Sequence, residues 1–263
     1  MLPSKEQNGE NSEVKHENSE VDEQKNLICF DLIIEILFRL PVKSLLRFRF
    51  VLKTWLALIC SPKFIKSHII LSSNKKDYTN HRLMLRTVHP ENNLKDCSLK
   101  SLLYKFFTEE SDMDYPMKNC GRYSLAKGSI NGFIYLVNMA KKLYLWNPTI
   151  RKYRKLLYFK TKVGDVVHIL YGFGYDEIHD DYKIASICTN ICRQHDFQEV
   201  NIYSLKNDSW QRTDYPQNET RLISSGKFVN GKLHWATSAG LGYERGWSIT
   251  SFDLADAKWR KVE

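Results

Sequence analysis

The residues of this chain whose types could carry out chemistry are a cysteine–histidine group and a group of acids. Cys188, Cys192 and His195 follow Cys-x3-Cys-x2-His spacing and could supply three zinc ligands. A structural zinc site takes four such ligands at characteristic spacings, and no fourth one stands at a standard distance. We therefore predict no metal at this position.

The acidic group consists of Asp176, Glu177, Asp180 and Asp181, with His179 among them. It could form a metal site or an acid/base pair, but consecutive strand residues point to opposite faces. Such a dense group therefore favours a solvated turn between two strands. The Gly-Phe-Gly sequence before it is not a phosphate-binding loop, because neither a helix start nor Gly-Lys-Ser/Thr follows. We predict no catalytic residue and no cofactor.

The elements that would position any functional group begin with a helical stretch at residues 28–68. Apolar residues at helical spacing predict a first helix with Asp31 as its N-cap and Pro41 at its end. A last helix is expected to begin at Ser61 and Pro62. Between them, a longer helix is predicted with one apolar face, which consists of Phe48, Val51, Leu52, Trp55, Leu58 and Ile59.

This helical unit is small, and its first helix is apolar over more than one face. Units below about 40 residues rarely fold alone without a metal, a disulfide or a partner. The surplus apolar surface either faces the rest of this chain or docks another protein by packing a helix into a groove.

The same stretch resembles the F-box, the motif that binds a Skp1-type adaptor in cullin-RING ubiquitin ligases. The matching residues are Asp31–Ile33, Glu35–Leu37, Arg39–Arg49, Val51, Lys53, Trp55 and Pro62–Phe64. The family's leading Leu-Pro is Ile28-Cys29 here, and Phe50 and Leu52 replace two usual cysteines. Because Phe50 and Leu52 are apolar, we expect the helical core to accommodate them.

The resemblance also implies which residues would contact the adaptor. We expect the adaptor surface to contain Ile28, Cys29, Leu32, Ile36, Pro41, Val42, Leu45 and Leu46. Trp55 is expected to lock the helices from behind this surface. The substitution Leu45→Asp should then abolish adaptor binding.

The amino-terminal segment, residues 1–26, has a composition of its own. Three lysines face seven acids, a formal charge of −4. So few apolar residues cannot offset the entropy of ordering, and we predict disorder. The segment has no signal-peptide core, and no later segment is long enough to span a membrane. With six scattered cysteines, this pattern favours reduced thiols in the cytoplasm or nucleus.

The net charge of +9 raises the question of nucleic-acid binding. Residues 27–76 carry nine basic side chains against two acids, and the longer remainder adds only +6. We therefore assign the excess to the helical unit, as a solvated face that could steer an acidic adaptor. Because no nucleic-acid-binding fold or stacking platform is recognisable, we predict no nucleic-acid partner.

After a polar linker at residues 72–81, the pattern changes from helices to short strands. In three segments, an aromatic residue is followed seven positions later by another, across a polar turn. We predict three β-hairpins whose paired rings lie in the core between neighbouring sheets. The pairs are Trp146 with Tyr153, Tyr203 with Trp210, and Phe252 with Trp259.

Tight turns are predicted upstream of the first and third hairpins, at Asn131-Gly132 and Asn230-Gly231, because glycine tolerates positive φ. Four strands per unit at a period of about 50 residues is typical of a kelch-like β-propeller. Three units are fewer than the roughly four to eight blades that close a ring. We therefore expect either an incomplete propeller with exposed strand edges or a sequence that is a partial or pseudogene-like product.

This region resembles the F-box-associated interaction domain of plant F-box proteins, the group that includes F-box/kelch-repeat and S-locus F-box proteins. The residues that carry the resemblance are Leu145–Thr149, Arg151-Lys152, Gly172–Asp176, Asp180–Lys183, Tyr203–Leu205, Ser209-Trp210, Phe228–Gly231, Leu233–Trp235 and Ser251–Leu254. The two resemblances together imply an α+β multidomain protein. We expect a tail at 1–26, a helical F-box at 27–70, a linker with first strands at 71–122, and a shortened β domain at 123–263.

The resemblance implies a non-catalytic substrate-recognition subunit of an SCF-type (Skp1–cullin–F-box) ubiquitin ligase. The F-box would bind a Skp1-like adaptor, and through it the cullin and the RING protein, while the β domain would hold a target protein. One alternative is a truncated, non-degradative or dominant-negative protein that binds the adaptor without a target. Another is a propeller enzyme, which would need converging carboxylates or metal ligands that the sequence does not show.

Overall fold

The computed structural model describes the chain in segments that belong to two compact units. The described residues are 30–74, 78–79, 81–87, 93–105, 108–116, 118, 124–138, 140–159, 161, 167–190, 198–215, 220–239 and 246–262. One unit comprises residues 1–83 and 97–109, and the other comprises residues 84–96 and 110–263. The first is mainly helical in its described part, and the second is built of β-sheets.

Four short helices follow one another in the first unit. They are α1 (residues 30–39), α2 (Val42–Phe48), α3 (Lys53–Ile59) and α4 (Pro62–Ser73). Asp31 lies inside α1 and is not its N-cap, because Phe30 before it is already helical. Pro41 is the N-cap of α2. The Ser61 hydroxyl caps α4 as predicted, since it accepts a hydrogen bond from the Phe64 N–H at 3.2 Å.

The longer helix predicted to carry Phe48 to Ile59 is wrong, because α2 ends at Phe48 and α3 begins at Lys53. The chain turns between them, where Leu52 is extended with φ −141° and ψ 145°. The N–H groups of Phe50 and Val51 bond carbonyls three residues back, at 3.2 and 3.0 Å, which tightens the end of α2. Val51 and Leu52 therefore leave the predicted apolar face and are exposed.

A small core holds these helices together, with one buried apolar residue from each: Leu37, Leu45, Ile59 and Phe64. Trp55 packs edge to face against Phe48, with ring centroids 5.7 Å apart, and so joins α3 to α2. The His68 imidazole Nε2 lies 2.9 Å from the carbonyl oxygen of Leu40, which links α4 to the end of α1. The bundle is thus closed by both apolar and polar contacts.

A short sheet and a short helix come next along the chain. The sheet consists of β1 (Arg82–Arg86), β2 (Leu94–Ser98) and β3 (Ser111–Asp112), in that spatial order. The helix α5 (Leu99–Tyr104) lies between β2 and β3 in sequence. Residues 71–122, which are expected to hold the first strands, therefore contain β1 to β3.

Three larger sheets follow, and we number them 1 to 3. Sheet 1 contains β4 (Ser124–Ile130), β5 (Phe133–Asn138), β6 (Leu143–Asn147) and β7 (Lys152–Lys155). Sheet 2 contains β8 (Val167–Asp176), β9 (Asp181–Asn190), β10 (Gln198–Ser204) and β11 (Ser209–Thr213). Sheet 3 contains β12 (Thr220–Leu222), β13 (Lys227–Val229), β14 (Lys232–Ala239), β15 (Trp247–Asp253) and β16 (Trp259–Val262).

Neighbouring strands within sheets 1 to 3 are antiparallel, and spatial order follows chain order in sheets 1 and 2. In sheet 3, β12 and β13 pair with successive parts of β14. A helical unit followed by repeated antiparallel sheets confirms the predicted fold class. Sheets 1 to 3 make up part of a propeller, a fold that typically has about four to eight blades.

Apolar layers lie between successive sheets. The layer between sheets 1 and 2 is built mainly from Tyr135, Val137, Leu143, Leu145, Tyr171, Phe173, Ile184 and Tyr203. The layer between sheets 2 and 3 is built mainly from Leu170, Ala185, Ile187, Val200, Leu233, Trp235, Phe252 and Leu254. Ile184 and Ala185 are neighbours in β9 but belong to different layers, so sheet 2 is buried on both faces.

The register that the aromatic spacing predicts occurs in all three hairpins: Trp146 lies opposite Tyr153, Tyr203 opposite Trp210, and Phe252 opposite Trp259. The rings of the second and third pairs are 5.1 and 4.9 Å apart. In the first hairpin, Trp146 is buried near Tyr115, while Tyr153 is 60% exposed and packs on Tyr144. The prediction of a core position is wrong for Tyr153, because it lies on the exposed edge strand β7.

Turn geometry repeats along the β domain. The predicted Asn-Gly turns have positive φ at both residues, 50° and 78° at Asn131-Gly132 and 48° and 76° at Asn230-Gly231. This is the conformation of the tightest hairpin turns. Glycine tolerates it without steric cost, and asparagine adopts it more readily than most residues.

Four longer hairpin turns share a second design, which includes the β8–β9 turn as well as the three predicted ones. Each has a non-glycine residue of positive φ five positions after its first aromatic residue: Arg151, Asp180, Asp208 and Ala257. In each, a polar side chain directly after that aromatic residue accepts a hydrogen bond from a turn N–H. These acceptors are Asn147, Asp176, Ser204 and Asp253.

Candidate functional site

The helical bundle leaves one side of α1 apolar and exposed. Leu32 and Ile36 lie one turn apart and are 60% and 57% exposed, while Leu37 of the same helix is buried in the core. Pro41 and Val42, at the start of α2, are exposed as well. Helix α1 therefore has the two apolar faces that its sequence predicts, and only one of them packs within the bundle.

Leu45 differs from the other residues predicted to contact a partner. Its side chain is only 5% exposed and belongs to the bundle core, whereas Leu46 next to it is half-buried. Leu45 is therefore a core residue of the bundle, and its contact with an adaptor stays a prediction. Ile28 and Cys29 lie outside the described residues.

Sequence reasoning missed a second exposed apolar group, at the turn between α2 and α3. Phe50, Val51 and Leu52 are all exposed, and so is Leu56 of α3. The expectation that Phe50 and Leu52 lie in the core is wrong, because the turn carries both out of the bundle. The guanidinium carbon of Arg49 lies 4.8 Å from the centre of the Phe50 ring.

Positive side chains accompany the exposed apolar ones. Arg39, Lys43, Arg47 and Lys53 are all exposed. Arg39 Nη2 lies 2.9 Å from Glu35 Oε2 in an i,i+4 ion pair, but exposed pairs of this kind add little stability. An apolar surface with positive charges around it in sequence suits a partner that is apolar at its centre and acidic at its rim.

The acidic segment is a turn, as predicted, but its first carboxylate is buried. Asp176 Oδ2 lies 2.7 Å from Lys183 Nζ and 2.7 Å from His179 Nδ1. Burial alone would raise the pKa of Asp176. Hydrogen bonds from Lys183 and His179 outweigh burial and hold this pKa below its ordinary value of 3.8.

The carboxylate at the other end of the turn, Asp181, is also buried and internally bound. It accepts hydrogen bonds from the Ser204 hydroxyl at 2.6 Å and from the Lys206 N–H at 2.8 Å. Both buried carboxylates therefore serve the fold. Across the described segments, no group of three or more His, Cys, Asp or Glu side chains converges as a metal site would require.

Cys188 lies buried in the layer between sheets 1 and 2. Burial, reinforced by the nearby Glu199 carboxylate, raises the pKa of the Cys188 thiol to about 12. The thiol is therefore protonated at neutral pH and is a poor nucleophile. Cys192 and His195, the other members of the predicted group, lie outside the described residues. No described helix is both long and apolar enough to cross a membrane.

The Gly-Phe-Gly sequence of β8 forms what we call a packing notch, where Gly172 and Gly174 leave room for side chains of sheet 3. A Cβ atom on Gly172 would lie 2.9 Å from side-chain atoms of sheet 3, and one on Gly174 would lie 2.4 Å from Phe228. Phe173 between them points into the opposite layer, towards sheet 1. The two glycines thus let sheet 3 pack closely on sheet 2.

Comparison with known proteins identifies both parts of the chain. Residues 26–67 match the F-box domain, and residues 66–263 match the F-box associated beta propeller domain. An F-box/kelch-repeat protein of Arabidopsis thaliana is 30% identical over 239 residues, which cover 88% of this chain and 64% of that protein. The F-box protein CPR1 of the same plant is 29% identical over 250 residues, which cover 87% of this chain and 58% of that protein.

The chain spans 58–64% of the length of these two curated relatives. Among solved structures, the N-terminal domain of Nup159 aligns with 69% of this chain and 45% of that chain, at TM-score 0.32 and 8% identity. The F-box associated beta propeller model covers well over half of the chain, and the F-box model covers the segment before it. The chain therefore belongs to the family of F-box proteins that carry an F-box associated beta propeller domain.

Proposed function

We propose that this chain is the substrate-recognition subunit of an SCF-type ubiquitin ligase. Its F-box binds a Skp1-like adaptor, and its β domain holds a target protein. The chain is non-catalytic in this role, because ubiquitin transfer belongs to other subunits of the ligase. The observation that carries the proposal is the exposed pair Leu32 and Ile36 in a domain of the F-box family.

The adaptor contact is a helix face packed into an apolar groove. Leu32 and Ile36 stand at i and i+4, so both side chains can enter one groove. Full burial of an apolar side chain of this size contributes about 1.5–3 kcal/mol. Val42 and Leu46 of α2 extend the contact, and the basic side chains of the unit favour an acidic adaptor rim.

The free thiols of Cys60, Cys97 and Cys188 support action in a reducing compartment. We therefore propose that the protein acts in the cytoplasm, the nucleus or both. The β domain would present its target to the ligase from a scaffold of packed sheets, which suits a binding role.

Co-expression with a plant Skp1-like adaptor, followed by size-exclusion chromatography, tests the proposal. We expect a one-to-one complex with the unaltered chain and none with Ile36→Asp. Ile70→Asp is the matched control, because Ile70 lies on α4 of the same unit and is 58% exposed, against 57% for Ile36. Loss of the complex in both variants, or in neither, would contradict the interface, and a folded chain that never binds the adaptor would overturn the proposed role.

A further inference from the structure

The β domain contains a long segment with basic side chains and no acidic ones. Residues 115–164 hold eleven Lys or Arg and no Asp or Glu, although the whole chain after residue 76 carries a formal charge of only +6. The helical unit therefore does not carry all of the excess positive charge. A strongly positive block in the β domain includes all of sheet 1.

Part of this positive charge surrounds a cleft at one end of sheet 1, where β5 turns into β6. The cleft has a volume of about 470 Å³, and its basic lining consists of Lys141, Lys142 and Lys155. Leu157 and Tyr158 form part of its apolar wall, and both are about half exposed. Among the described residues, no acidic side chain lines the cleft and no carboxylate forms an ion pair with these lysines.

Two of these lysines, Lys141 and Lys142, are hydrogen-bonded through their backbone N–H groups to Asn138. The buried Asn138 accepts a hydrogen bond from the Lys142 N–H on its side-chain oxygen at 2.8 Å. Its backbone carbonyl accepts another from the Lys141 N–H at 2.9 Å. Lys155 belongs to β7, where it lies opposite Tyr144 of β6. The backbones of Lys141 and Lys142 are thus each bonded to Asn138, and Lys155 lies in a strand.

The strand β7 is the edge of sheet 1, and its residues Lys152–Lys155 are all exposed. No described strand pairs with its outer side. Arg154 forms an ion pair with Asp208 at 2.7 Å, while Lys152 and Lys155 have no such partner among the described residues. Lysines on an edge discourage pairing with a similar edge, but the same charges favour an acidic strand.

We propose that the β7 edge and the adjoining cleft bind an extended acidic segment of a partner protein. The backbone of the segment pairs with β7, and its carboxylates meet Lys141, Lys142 and Lys155. An apolar side chain of the segment packs on Leu157 and Tyr158. A polypeptide is favoured over a nucleic acid because only a polypeptide can extend the hydrogen-bond ladder of an edge strand.

This inference rests on the proposed function for one point, that the bound segment belongs to the ligase target. The binding site itself depends only on the basic side chains, the cleft and the edge of β7, to which no described strand pairs. Acidic segments would then be the feature by which this chain selects targets.

The test is fluorescence anisotropy on the full chain, purified with the adaptor where it binds. The probe is a short labelled peptide that alternates Asp or Glu with Leu or Val, and its twin carries Asn or Gln instead of the acids. The cleft variant combines Lys141→Glu, Lys142→Glu and Lys155→Glu. The matched control combines Lys227→Glu, Lys258→Glu and Lys261→Glu, which reverse three exposed lysines of sheet 3.

We expect the acidic peptide to bind the cleft variant at least about tenfold more weakly than the unaltered chain. Binding to the control should stay within about twofold, because its lysines lie away from the cleft. The neutral twin should bind weakly to all three proteins. Thermal melts check folding, and Lys142→Gln with Lys155→Gln serves as a milder pair with the same direction of effect.

Equal losses in the cleft variant and the control would show attraction by net charge alone and overturn the site. An unchanged affinity in the cleft variant would overturn it as well. If an oligonucleotide of equal charge binds more tightly than the peptide and loses affinity only in the cleft variant, the surface belongs to nucleic acid. Adaptor co-elution is read on the same samples, so a failed ligase role and a failed peptide site give different results.

Discussion

The side-chain ammonium of Lys183 lies 2.7 Å from the carboxylate of Asp176, and the same ammonium donates to the Leu254 carbonyl at 2.7 Å. Lys183 and Asp176 belong to sheet 2, while Leu254 lies in the turn after β15 of sheet 3. One largely buried cation therefore joins two neighbouring sheets. Lys183 belongs to the Asp180–Lys183 stretch that carries the family resemblance, and in this structure it connects two successive sheets.

The substitution Lys183→Met should destabilise the β domain strongly. It leaves the buried Asp176 carboxylate without its cation, and breaking a buried pair in this way costs about 3–5 kcal/mol. Lys227→Met is the control, because Lys227 is exposed, and a surface change of this kind stays within about 0.5 kcal/mol. Urea unfolding measures the free energy of unfolding of both variants. An equal loss in Lys183→Met and Lys227→Met would contradict the role of Lys183.

The contribution of Asp176 to stability should disappear in acid. Its pKa is lower in the folded chain than the ordinary carboxyl value, so the folded state binds this proton less readily than the unfolded state. The stabilisation is therefore complete above the unfolded pKa, about 4, and is lost as the pH falls through the folded pKa. The melting-temperature gap between the unaltered chain and Asp176→Asn should be constant near neutral pH and narrow below about pH 4. A gap that stays constant in strong acid would refute this assignment.

The substitution Gly174→Ala should weaken the packing of sheet 3 on sheet 2. The added methyl group would lie 2.4 Å from a ring atom of Phe228 and 2.6 Å from a methyl group of Leu254. Overpacking of this kind typically costs about 1–3 kcal/mol. Gly246→Ala is the control, because nothing lies within 4 Å of its added methyl group. Thermal unfolding should separate the two, and a neutral Gly174→Ala would contradict the packing notch.

Ala257→Gly should stabilise the chain, which is unusual for a glycine substitution. Ala257 has φ 56°, a left-handed conformation that disfavours residues with a Cβ atom. Glycine removes that strain, although it also makes the unfolded chain more flexible. The expected net gain is about 0.5–1 kcal/mol in chemical unfolding. Ala255→Gly, in the same turn but without positive φ, should bring no gain, and a loss at Ala257 would contradict the strain.

The substitution Leu45→Ala should destabilise the helical bundle while leaving its outer face unchanged. Truncation of a buried leucine costs about 2–5 kcal/mol, and Leu45 belongs to the bundle core. The rate of amide hydrogen exchange within α1 to α4 should therefore be higher than in the unaltered chain. Adaptor binding should persist at low temperature, where the bundle remains folded. If Leu45→Ala abolishes binding without faster exchange, then Leu45 contacts the adaptor after all.

The β-hairpins could be predicted from sequence because their determinants are local. The spacing of seven residues between Tyr203 and Trp210 sets both the register and the turn, and a side chain next to the first ring closes that turn. The same logic extends to the turn between Tyr175 and Tyr182, where Asp180 has positive φ. Its acidic residues predict a turn between two strands, and the aromatic spacing from Tyr175 to Tyr182 adds the same register as in the other three hairpins.

The buried residues of the helical unit were harder to predict, because apolar spacing does not determine which face of a helix packs inward. Leu45 and Leu46 are adjacent leucines, and only the packed bundle distinguishes the buried one from the half-buried one. Phe50 and Leu52 fit a helical face by spacing, but the chain turns there. The cleft of sheet 1 was missed for another reason: Lys141 and Lys155 are brought together only by the β6–β7 hairpin.

The agreement between chain order and spatial order in sheets 1 and 2 also bears on biosynthesis. Each sheet is made from consecutive strands, so it can pair as soon as its residues leave the ribosome, before later sheets exist. The apolar face of sheet 1, which includes Tyr135 and Leu145, then stays uncovered until β8 to β10 have been made. We therefore expect nascent chains of this protein to expose this apolar surface until sheet 2 docks.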